Sequence, residues 1–258
     1  MSEPAVLLSM DEAVATITLN RADAKNRLDA EGMALLLEHL DATAQDPAVR
    51  VVVLTGSGST FCSGADLSGA LNAAQGGFAT GGTNALVAVL GAMLDHPKPI
   101  VGRIQGHVAG GGNGLVAACD LAVASADAKF AFTEVRVGVA PAIIAVVCLQ
   151  VMERRAAQEL MLTGQRVGAD RVLQAGLITS VAEPEGLDAE TAAYVEALLS
   201  GGPEALANTK ALLRRVPVMS RDDAFAWCAE MSASLFTSDE AREGMTAFLE
   251  KRKPEWAT

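Results

Sequence analysis

Apolar residues recur along the first part of the chain with two different periods, which predict strands alternating with helices. Residues 14–19 (VATITL) form a β-rich run that ends at the turn residues Asn20-Arg21. The apolar positions between Met33 and Leu40 then fall at i, i+3, i+4 and i+7, as in an amphipathic helix that Asp46-Pro47 terminates. Residues 50–54 (RVVVL) form a short run that is continuously apolar after Arg50, as expected for a strand covered on both faces.

This alternation continues to about residue 132 and then gives way to helices. The pattern predicts a helix around residues 86–93, strands at residues 100–105, 121–124 and 129–132, and helices at residues 143–152, 156–163, 169–175, 203–213, 221–237 and 239–251. The stretch from Ser68 to Thr83 has little periodicity and is predicted to be a loop that shapes a pocket. Alternating strands and helices favour a mainly parallel sheet, so the predicted fold class is α/β. We expect a core domain over residues 1–199 and a helical region over residues 200–258.

Composition narrows the classes of function. The chain of 258 residues is half hydrophobic but only 4% aromatic, and its net charge of −11 gives no basic face for a nucleic-acid backbone. Its four cysteines lack CxxC spacing, which predicts reduced thiols and a cytoplasmic location. Its three histidines lack the spacing of a zinc site, so we expect no metal. The acidic N-terminus does not resemble a signal peptide, and the most apolar run, residues 140–152, is too short to span a membrane.

Two glycine-containing loops are candidates for binding a negatively charged oxygen. The stretch from Gly106 to Ser125 runs through three consecutive glycines into an apolar helix, whose first N–H groups are unpaired and carry partial positive charge. A second loop covers residues 62–67. If each loop directs one backbone N–H to the same point, the amides of Ala65 and Gly111 form an oxyanion hole. The alternative interpretation of the glycines is a turn followed by a tightly packed helix.

Glu134 is the best placed candidate for a general base. It follows the apolar run that begins at Lys129, and partial desolvation there would raise the pKa of its carboxyl toward the range useful for proton transfer. The alternative is a surface carboxylate paired with Arg136. Near the end of the chain, cations follow Phe248, which is compatible either with a helix end or with a phosphate and adenine contact.

The chain resembles the enoyl-CoA hydratase/isomerase (crotonase) superfamily over nearly its whole length. Two motifs carry this resemblance, and they occur in the order and at the spacing found in that family. The first is residues 61–67 (FCSGADL), and the second is residues 106–112 (GHVAGGG) with the following Cys119-Asp120. Residues 19–26, 97–99, 163–164, 175–177 and 247–254 support the match. Together these motifs are specific.

The resemblance implies a fold and a ligand. The implied fold is the crotonase (ClpP-like) spiral of ββα units, followed by a C-terminal helical trimerisation region that assembles trimers or dimers of trimers. The N–H groups of Ala65 and Gly111 would bind the thioester oxygen of an acyl-CoA, in agreement with the interpretation above. No cofactor beyond the coenzyme A of the substrate is implied. Six further residues would contact CoA, the last two from a neighbouring subunit: Lys25, Asn26, Asp66, Leu67, Phe248 and Lys251.

The chain departs from the family pattern at one catalytic position. Typical hydratases of the family carry two glutamates, and the first of these positions falls on Gly114 here, while the second is Glu134. Residues 139–144 (VAPAII) replace the glycine-rich turn that usually follows. Residues 134–141 (EVRVGVAP) resemble the methylglutaconyl-CoA hydratase subgroup of branched-chain degradation, which also lacks the first glutamate and in which Arg136 would suit a second carboxylate on the substrate.

Three functions are compatible with these residues. The first is hydration of a 2-enoyl-CoA, in which Glu134 activates water and returns a proton to the α-carbon. The second is isomerisation of a 3-enoyl-CoA, which needs only one base. The third is a non-catalytic acyl-CoA-binding scaffold, in which Glu134 belongs to a structural ion pair. We expect an enoyl-CoA hydratase of lipid metabolism.

Overall fold

Two β-sheets organise the chain. The computed structural model describes residues 3–64 and 78–257, and for residues 78–83 only the helical backbone. Ten strands are described within these ranges: β1 (Val6–Asp11), β2 (Val14–Leu19), β3 (Val51–Gly56), β4 (Thr60–Cys62), β5 (Ile100–Ile104), β6 (His107–Ala109), β7 (Leu121–Ser125), β8 (Lys129–Ala131), β9 (Val167–Gly168) and β10 (Ser180–Ala182). The first sheet has the order β1-β2-β3-β5-β7-β10 and the second the order β4-β6-β8-β9.

Most strand pairs are parallel, as the alternating pattern predicted. In the first sheet, β1 pairs antiparallel with β2 and the remaining neighbours are parallel. In the second sheet, β4, β6 and β8 run parallel and β9 pairs antiparallel with β8. Every residue of β3 is buried, which confirms the strand predicted from its continuous apolar run.

Helices cover the sheets and dominate the second half of the chain. In the described ranges they are α1 (Ala30–Gln45), α2 (Phe78–Asp95), α3 (Gly111–Ala118), α4 (Ala142–Val151), α5 (Arg154–Thr163), α6 (Ala169–Gln174), α7 (Leu187–Leu199), α8 (Pro203–Arg215), α9 (Arg221–Phe236) and α10 (Asp239–Glu250). The side chain of Asp29 accepts from Gly32 N at 2.8 Å and begins α1, while Ser238 does the same for α10 through Ala241 N at 3.1 Å. No helix in the described ranges is long and apolar enough to cross a membrane.

One prediction about the middle of the chain was partly wrong. Residues up to Thr83 were expected to be a loop, but α2 begins at Phe78. Gly81-Gly82 lowers helix propensity, and the apolar stripe starts only at Leu86, so no periodic signal marks the first two turns. The rest of the predicted loop, residues 68–77, lies outside the described residues.

Polar contacts attach the C-terminal helices to the first sheet. Lys210 Nζ on α8 donates to Asp120 Oδ2 at 2.7 Å, and Asp120 Oδ2 also accepts from Ile100 N at 2.7 Å. The guanidinium of Arg50 donates to Gly201 O at 2.7 Å and to Trp256 O at 3.0 Å. These contacts fix the helical region to the core, while the predicted division at residue 200 stays a prediction.

Candidate active site

The carboxyl ends of three neighbouring parallel strands meet at one edge of the second sheet. Strand β4 ends at Cys62, β6 at Ala109 and β8 at Ala131. Because β4 pairs with β6 and β6 with β8, the segments that leave these strands start side by side. Those three segments carry the two glycine loops and the candidate base. The topology therefore brings together parts of the chain that are about 70 residues apart in sequence.

The two glycine loops touch each other at Gly64. Its φ of +88° is in the left-handed region, and a Cβ added to it would lie 2.8 Å from Ala109 O and 3.1 Å from Gly111 N. A residue with a side chain would separate the loops, so glycine is needed here both for conformation and for close approach. Leu28 N donates to Gly64 O at 2.8 Å and holds the first loop in place.

Three predicted site residues lie outside the described part of the chain. These are Ala65, Asp66 and Leu67, which directly follow Gly64. The predicted oxyanion donor Ala65 N and the predicted CoA contacts of Asp66 and Leu67 therefore stay predictions.

Gly111, the other predicted oxyanion donor, is the first residue of the helix α3. All eight residues of α3 are buried, so the helix runs into the core and leaves only its N-terminus toward the strand ends. The first N–H groups of a helix have no partner within the helix, which leaves Gly111 N available to an oxyanion. The preceding Gly110 has φ 51° and ψ −125°, and its N–H donates to Ala131 O at 3.1 Å.

Glu134 lies beside the glycine loop with part of its carboxylate buried. It is the first residue of a 3₁₀ turn, Glu134–Val137, three residues beyond the end of β8. A Cβ added to Gly110 would lie 3.5 Å from Glu134 Oε1. Glu134 Oε2 is buried and has no hydrogen-bond partner among the described residues. Burial raises the pKa of this carboxyl above its ordinary value, which confirms the desolvation predicted from the sequence.

Arg136 is directed to the end of a helix and not to Glu134. Its guanidinium Nη2 donates to Thr163 O at 3.4 Å, and a Cβ added to Gly164 would lie 3.1 Å from its Nε. Thr163 is the last residue of α5, where unpaired carbonyls favour a cation. Within the described residues Glu134 forms no ion pair, so the alternative of a Glu134–Arg136 pair is wrong. The same contact competes with binding of a second substrate carboxylate by Arg136.

The position of the missing glutamate is filled by a neighbouring side chain. A Cβ added to Gly114 would lie 2.5 Å from Ile144 Cγ2 and 3.5 Å from Leu90 Cδ1. Ile144 is 2% exposed on α4 and Leu90 is 4% exposed on α2. The space into which a residue at position 114 would project is therefore apolar and occupied. In the sequence, this change is visible as the bulky Ile144 in place of a glycine-rich turn. The sequence alone does not show that Ile144 packs against Gly114.

The cysteines near the site are held as neutral thiols. Burial raises the pKa of Cys62 to about 12, and burial together with the charge of Glu134 raises the pKa of Cys148 to about 12. A thiol at such a pKa is a poor nucleophile at neutral pH. These environments do not favour nucleophilic catalysis at either cysteine.

Two of the predicted CoA contacts, Lys25 and Asn26, are adjacent in sequence but have different environments. Lys25 is exposed, with a φ of +55°. Asn26 is 2% exposed, and its amide donates to Ser57 O at 2.9 Å and to Thr60 O at 2.6 Å while accepting from Arg21 N at 2.8 Å. The side chain of Asn26 thus holds the turn before β4 and offers no surface to a ligand.

The two predicted contacts from a neighbouring subunit lie at the end of α10. Phe248 is 83% exposed, and Lys251 is exposed at the left-handed position that ends the helix. Neither touches the strand ends described above in the single chain. Their position is compatible with a contact made in another subunit.

Comparisons with known proteins agree with this geometry. The family model described as enoyl-CoA hydratase/isomerase matches residues 9–258. A putative enoyl-CoA hydratase of Thermus thermophilus is 35% identical over 93% of this chain and 96% of its own length. The (E)-benzylidenesuccinyl-CoA hydratase of Thauera aromatica is 32% identical over 96% of this chain and 97% of its own. The crystal structure of an enoyl-CoA hydratase of Mycobacterium smegmatis, 37% identical, superimposes with a TM-score of 0.93 over 99% of this chain and 100% of its own. The chain therefore has the crotonase fold and belongs to the enoyl-CoA hydratase/isomerase family.

Proposed function

We propose that this protein is an enoyl-CoA hydratase that adds water across the 2,3 double bond of a 2-enoyl-CoA with a single glutamate. The observation that carries the proposal is the meeting of three parallel strand ends, where the carboxylate of Glu134 approaches Gly110, the residue before the N-terminus of α3. An oxyanion donor and a base at one point are what enolate chemistry requires.

In the proposed reaction, Glu134 acts first as base and then as acid. Its carboxylate accepts a proton from water while the water oxygen bonds to the β-carbon. The electrons of the double bond move toward the thioester oxygen, where Gly111 N–H, with Ala65 N–H, stabilises the negative charge. The α-carbon then takes the proton from the Glu134 carboxyl, which restores the carboxylate. A raised pKa suits both steps, because the group must gain and lose a proton near neutral pH.

One observation favours isomerisation as a second candidate. Ile144 and Leu90 fill the space beside Gly114, so a second carboxylate has no room there. Moving a proton between the second and fourth carbons of a 3-enoyl-CoA needs one base, and Glu134 supplies it. Hydration remains the first proposal because the relatives named above are hydratases.

The proposed active form is a homotrimer or a dimer of trimers that binds acyl-CoA. Large apolar side chains are exposed on the C-terminal helices, and burying them against another subunit would remove apolar surface from water. Among the described residues of these helices, five are at least 70% exposed: Leu213, Phe225, Phe236, Phe248 and Leu249. In this assembly Phe248 and Lys251 of one subunit approach the CoA adenine and phosphate bound to another. Sedimentation of the purified protein tests the assembly.

Absorbance at the conjugated thioester band tests the reaction. With crotonyl-CoA, hydration removes the conjugation and the band decays. A band that rises from a 3-enoyl-CoA, with crotonyl-CoA untouched, would establish isomerisation instead. If neither substrate changes, branched 2-enoyl-CoA thioesters are measured next, and absence of turnover on those would favour the acyl-CoA-binding scaffold.

The Glu134→Gln variant separates catalysis from binding. The amide cannot accept a proton, so we expect turnover to fall at least about a thousandfold while CoA thioesters still bind. Glu185→Gln, an exposed glutamate in the 3₁₀ turn Pro184–Gly186, is the matched control and keeps full activity. Unchanged turnover in Glu134→Gln would contradict the role of this residue.

A further inference from the structure

The direction of the Gly111 N–H depends on one peptide group. Gly110 O and Gly111 N belong to the same planar trans peptide, in which the carbonyl and the N–H point in opposite directions. Whatever holds Gly110 O on one side therefore aims Gly111 N–H to the other. A glycine on each side of this peptide gives little intrinsic resistance to rotation, so the orientation must come from contacts.

Asn113 supplies those contacts. Its backbone N donates to Gly110 O at 3.0 Å, and its side-chain Nδ2 donates to the same oxygen at 3.3 Å. The same Nδ2 also donates to Ala131 O at 2.9 Å, an oxygen that already accepts from Gly110 N at 3.1 Å. One side-chain amide therefore ties the carbonyl behind the oxyanion donor to the last residue of β8, from which the chain leads to Glu134.

The side-chain oxygen of Asn113, Oδ1, shows that an asparagine at this position has an energetic cost. Asn113 is fully buried, and no residue in the described ranges forms a hydrogen bond with its Oδ1. Leaving a buried acceptor unpaired costs about 1–3 kcal/mol, which an apolar residue at this position would avoid. Cys148 Sγ approaches the backbone oxygen of Asn113 at 3.7 Å and closes the position from α4. Packing alone therefore gives no reason for an asparagine here.

We infer that Asn113 is a positioning residue for the reaction, which fixes the Gly110-Gly111 peptide so that Gly111 N–H faces the thioester oxygen at a set distance from Glu134. The inference rests on the proposed enolate chemistry. Asn113 touches no reacting atom; it acts through the peptide of Gly110 and the carbonyl of Ala131. A misplacement of about 1 Å in such a site costs on the order of a hundredfold in rate.

The test compares Asn113→Ala and Asn113→Asp with the wild-type protein. We expect kcat on the preferred enoyl-CoA to fall about ten- to a hundredfold, with KM changed by less than about threefold, because the donor is misaimed while CoA contacts persist. The vibrational frequency of a ¹³C-labelled thioester carbonyl reports the hydrogen bond directly. Its shift to lower frequency on binding should be smaller in both variants than in wild type.

Asn113→Asp adds a pH signature. A protonated aspartic acid can donate one hydrogen bond to Gly110 O or Ala131 O, whereas its carboxylate can donate none and repels both. Activity of this variant should therefore decline as pH rises, opposite in direction to the requirement for a deprotonated Glu134. Asn208→Ala, which removes an exposed amide on α8, is the matched control and should change none of these readouts.

The outcomes separate this inference from the proposed function. If wild type shows neither turnover nor a carbonyl shift, the enolate proposal fails. If wild type shows both and a folded Asn113 variant keeps the same kcat and the same shift, the positioning role is overturned. If neither variant folds by circular dichroism, Asn113 serves folding alone and the inference is likewise overturned.

Discussion

The close approach of Ile144 to Gly114 predicts how much a side chain at position 114 would destabilise the protein. A Cβ at position 114 would lie 2.5 Å from Ile144 Cγ2, about 1 Å inside the usual carbon–carbon separation of roughly 3.5–4.0 Å. Both residues are buried, so the overlap cannot be relieved into solvent. We expect Gly114→Ala to lower the free energy of unfolding by about 1–3 kcal/mol through overpacking.

A double-mutant cycle assigns that loss to the contact. Ile144→Ala alone should cost about 2–5 kcal/mol because it leaves a cavity. In that background the added methyl of Gly114→Ala meets no Cγ2 and keeps only the 3.1 Å approach to the Cβ of residue 144, so most of its cost should be lost and the two changes should couple by on the order of 2 kcal/mol. Denaturant unfolding followed by far-ultraviolet circular dichroism, at one fixed protomer concentration, measures all four proteins.

Gly91→Ala is the matched control for this cycle. Gly91 lies inside α2, and a Cβ added to it would meet nothing within 4 Å. This substitution should stabilise the protein by about 0.5–1 kcal/mol through backbone entropy. If Gly114→Ala stabilises the protein as much as Gly91→Ala does, the argument that Ile144 fills the space of the missing glutamate at position 114 is wrong. The same holds if the effects of Gly114→Ala and Ile144→Ala on stability simply add.

Three further predictions follow from Glu134, His96 and Arg136. Burial raises the pKa of Glu134, so Glu134→Gln should be at least as stable as wild type near pH 8, and the difference should shrink as pH falls through that pKa, as thermal melts across pH will show. Burial lowers the pKa of His96 from 6.5 to about 4, so as pH falls this imidazole is protonated in the unfolded chain before it is protonated in the folded protein. About 3 kcal/mol of stability is therefore present above pH 6.5 and lost between pH 6.5 and 4. His96→Gln should remove this pH dependence from acid unfolding curves. Because the guanidinium of Arg136 donates to Thr163 O at the end of α5, Arg136→Ala should reduce turnover of a glutaconyl-type thioester and of crotonyl-CoA equally. A loss of turnover with the glutaconyl-type thioester alone would instead assign the guanidinium to a substrate carboxylate.

Long periodic segments of the chain could be predicted from sequence, and short ones could not. Strand β2 has the predicted bounds, Val14–Leu19, and the predicted helix that Asp46-Pro47 terminates is α1. Strands β4, β6 and β9 have two or three residues each, too few to show a period, and helix α7 was not predicted. Yet β4 and β6 are the elements that align the two glycine loops. The loops could be recognised from their motifs, whereas the reason they meet required the sheet.

The roles of individual polar residues were harder to read than the motifs that contain them. Asn26 was predicted to contact CoA, but its amide makes three internal hydrogen bonds that hold the turn before β4. The sequence motifs assign no role to Asn113, although a polar side chain among the glycine and apolar residues of a short buried helix is a visible signal. Sequence pattern places a residue on an element, but hydrogen-bond partners that are 18 or 34 positions away come only from the tertiary structure.

Two buried oxygens near the Gly110 peptide, each without a hydrogen-bond partner in the described part of the chain, bear on how the proposed site works. One is Glu134 Oε2 and the other is Asn113 Oδ1. An unpaired Oε2 keeps the carboxylate basic, because a donor there would lower its pKa and weaken it as a proton acceptor. An unpaired Oδ1 has no such use of its own; it accompanies the Nδ2 that holds Gly110 O and Ala131 O. In the proposed reaction, the unpaired Oε2 keeps the base effective, and the unpaired Oδ1 accompanies the contacts that we infer to aim the oxyanion donor.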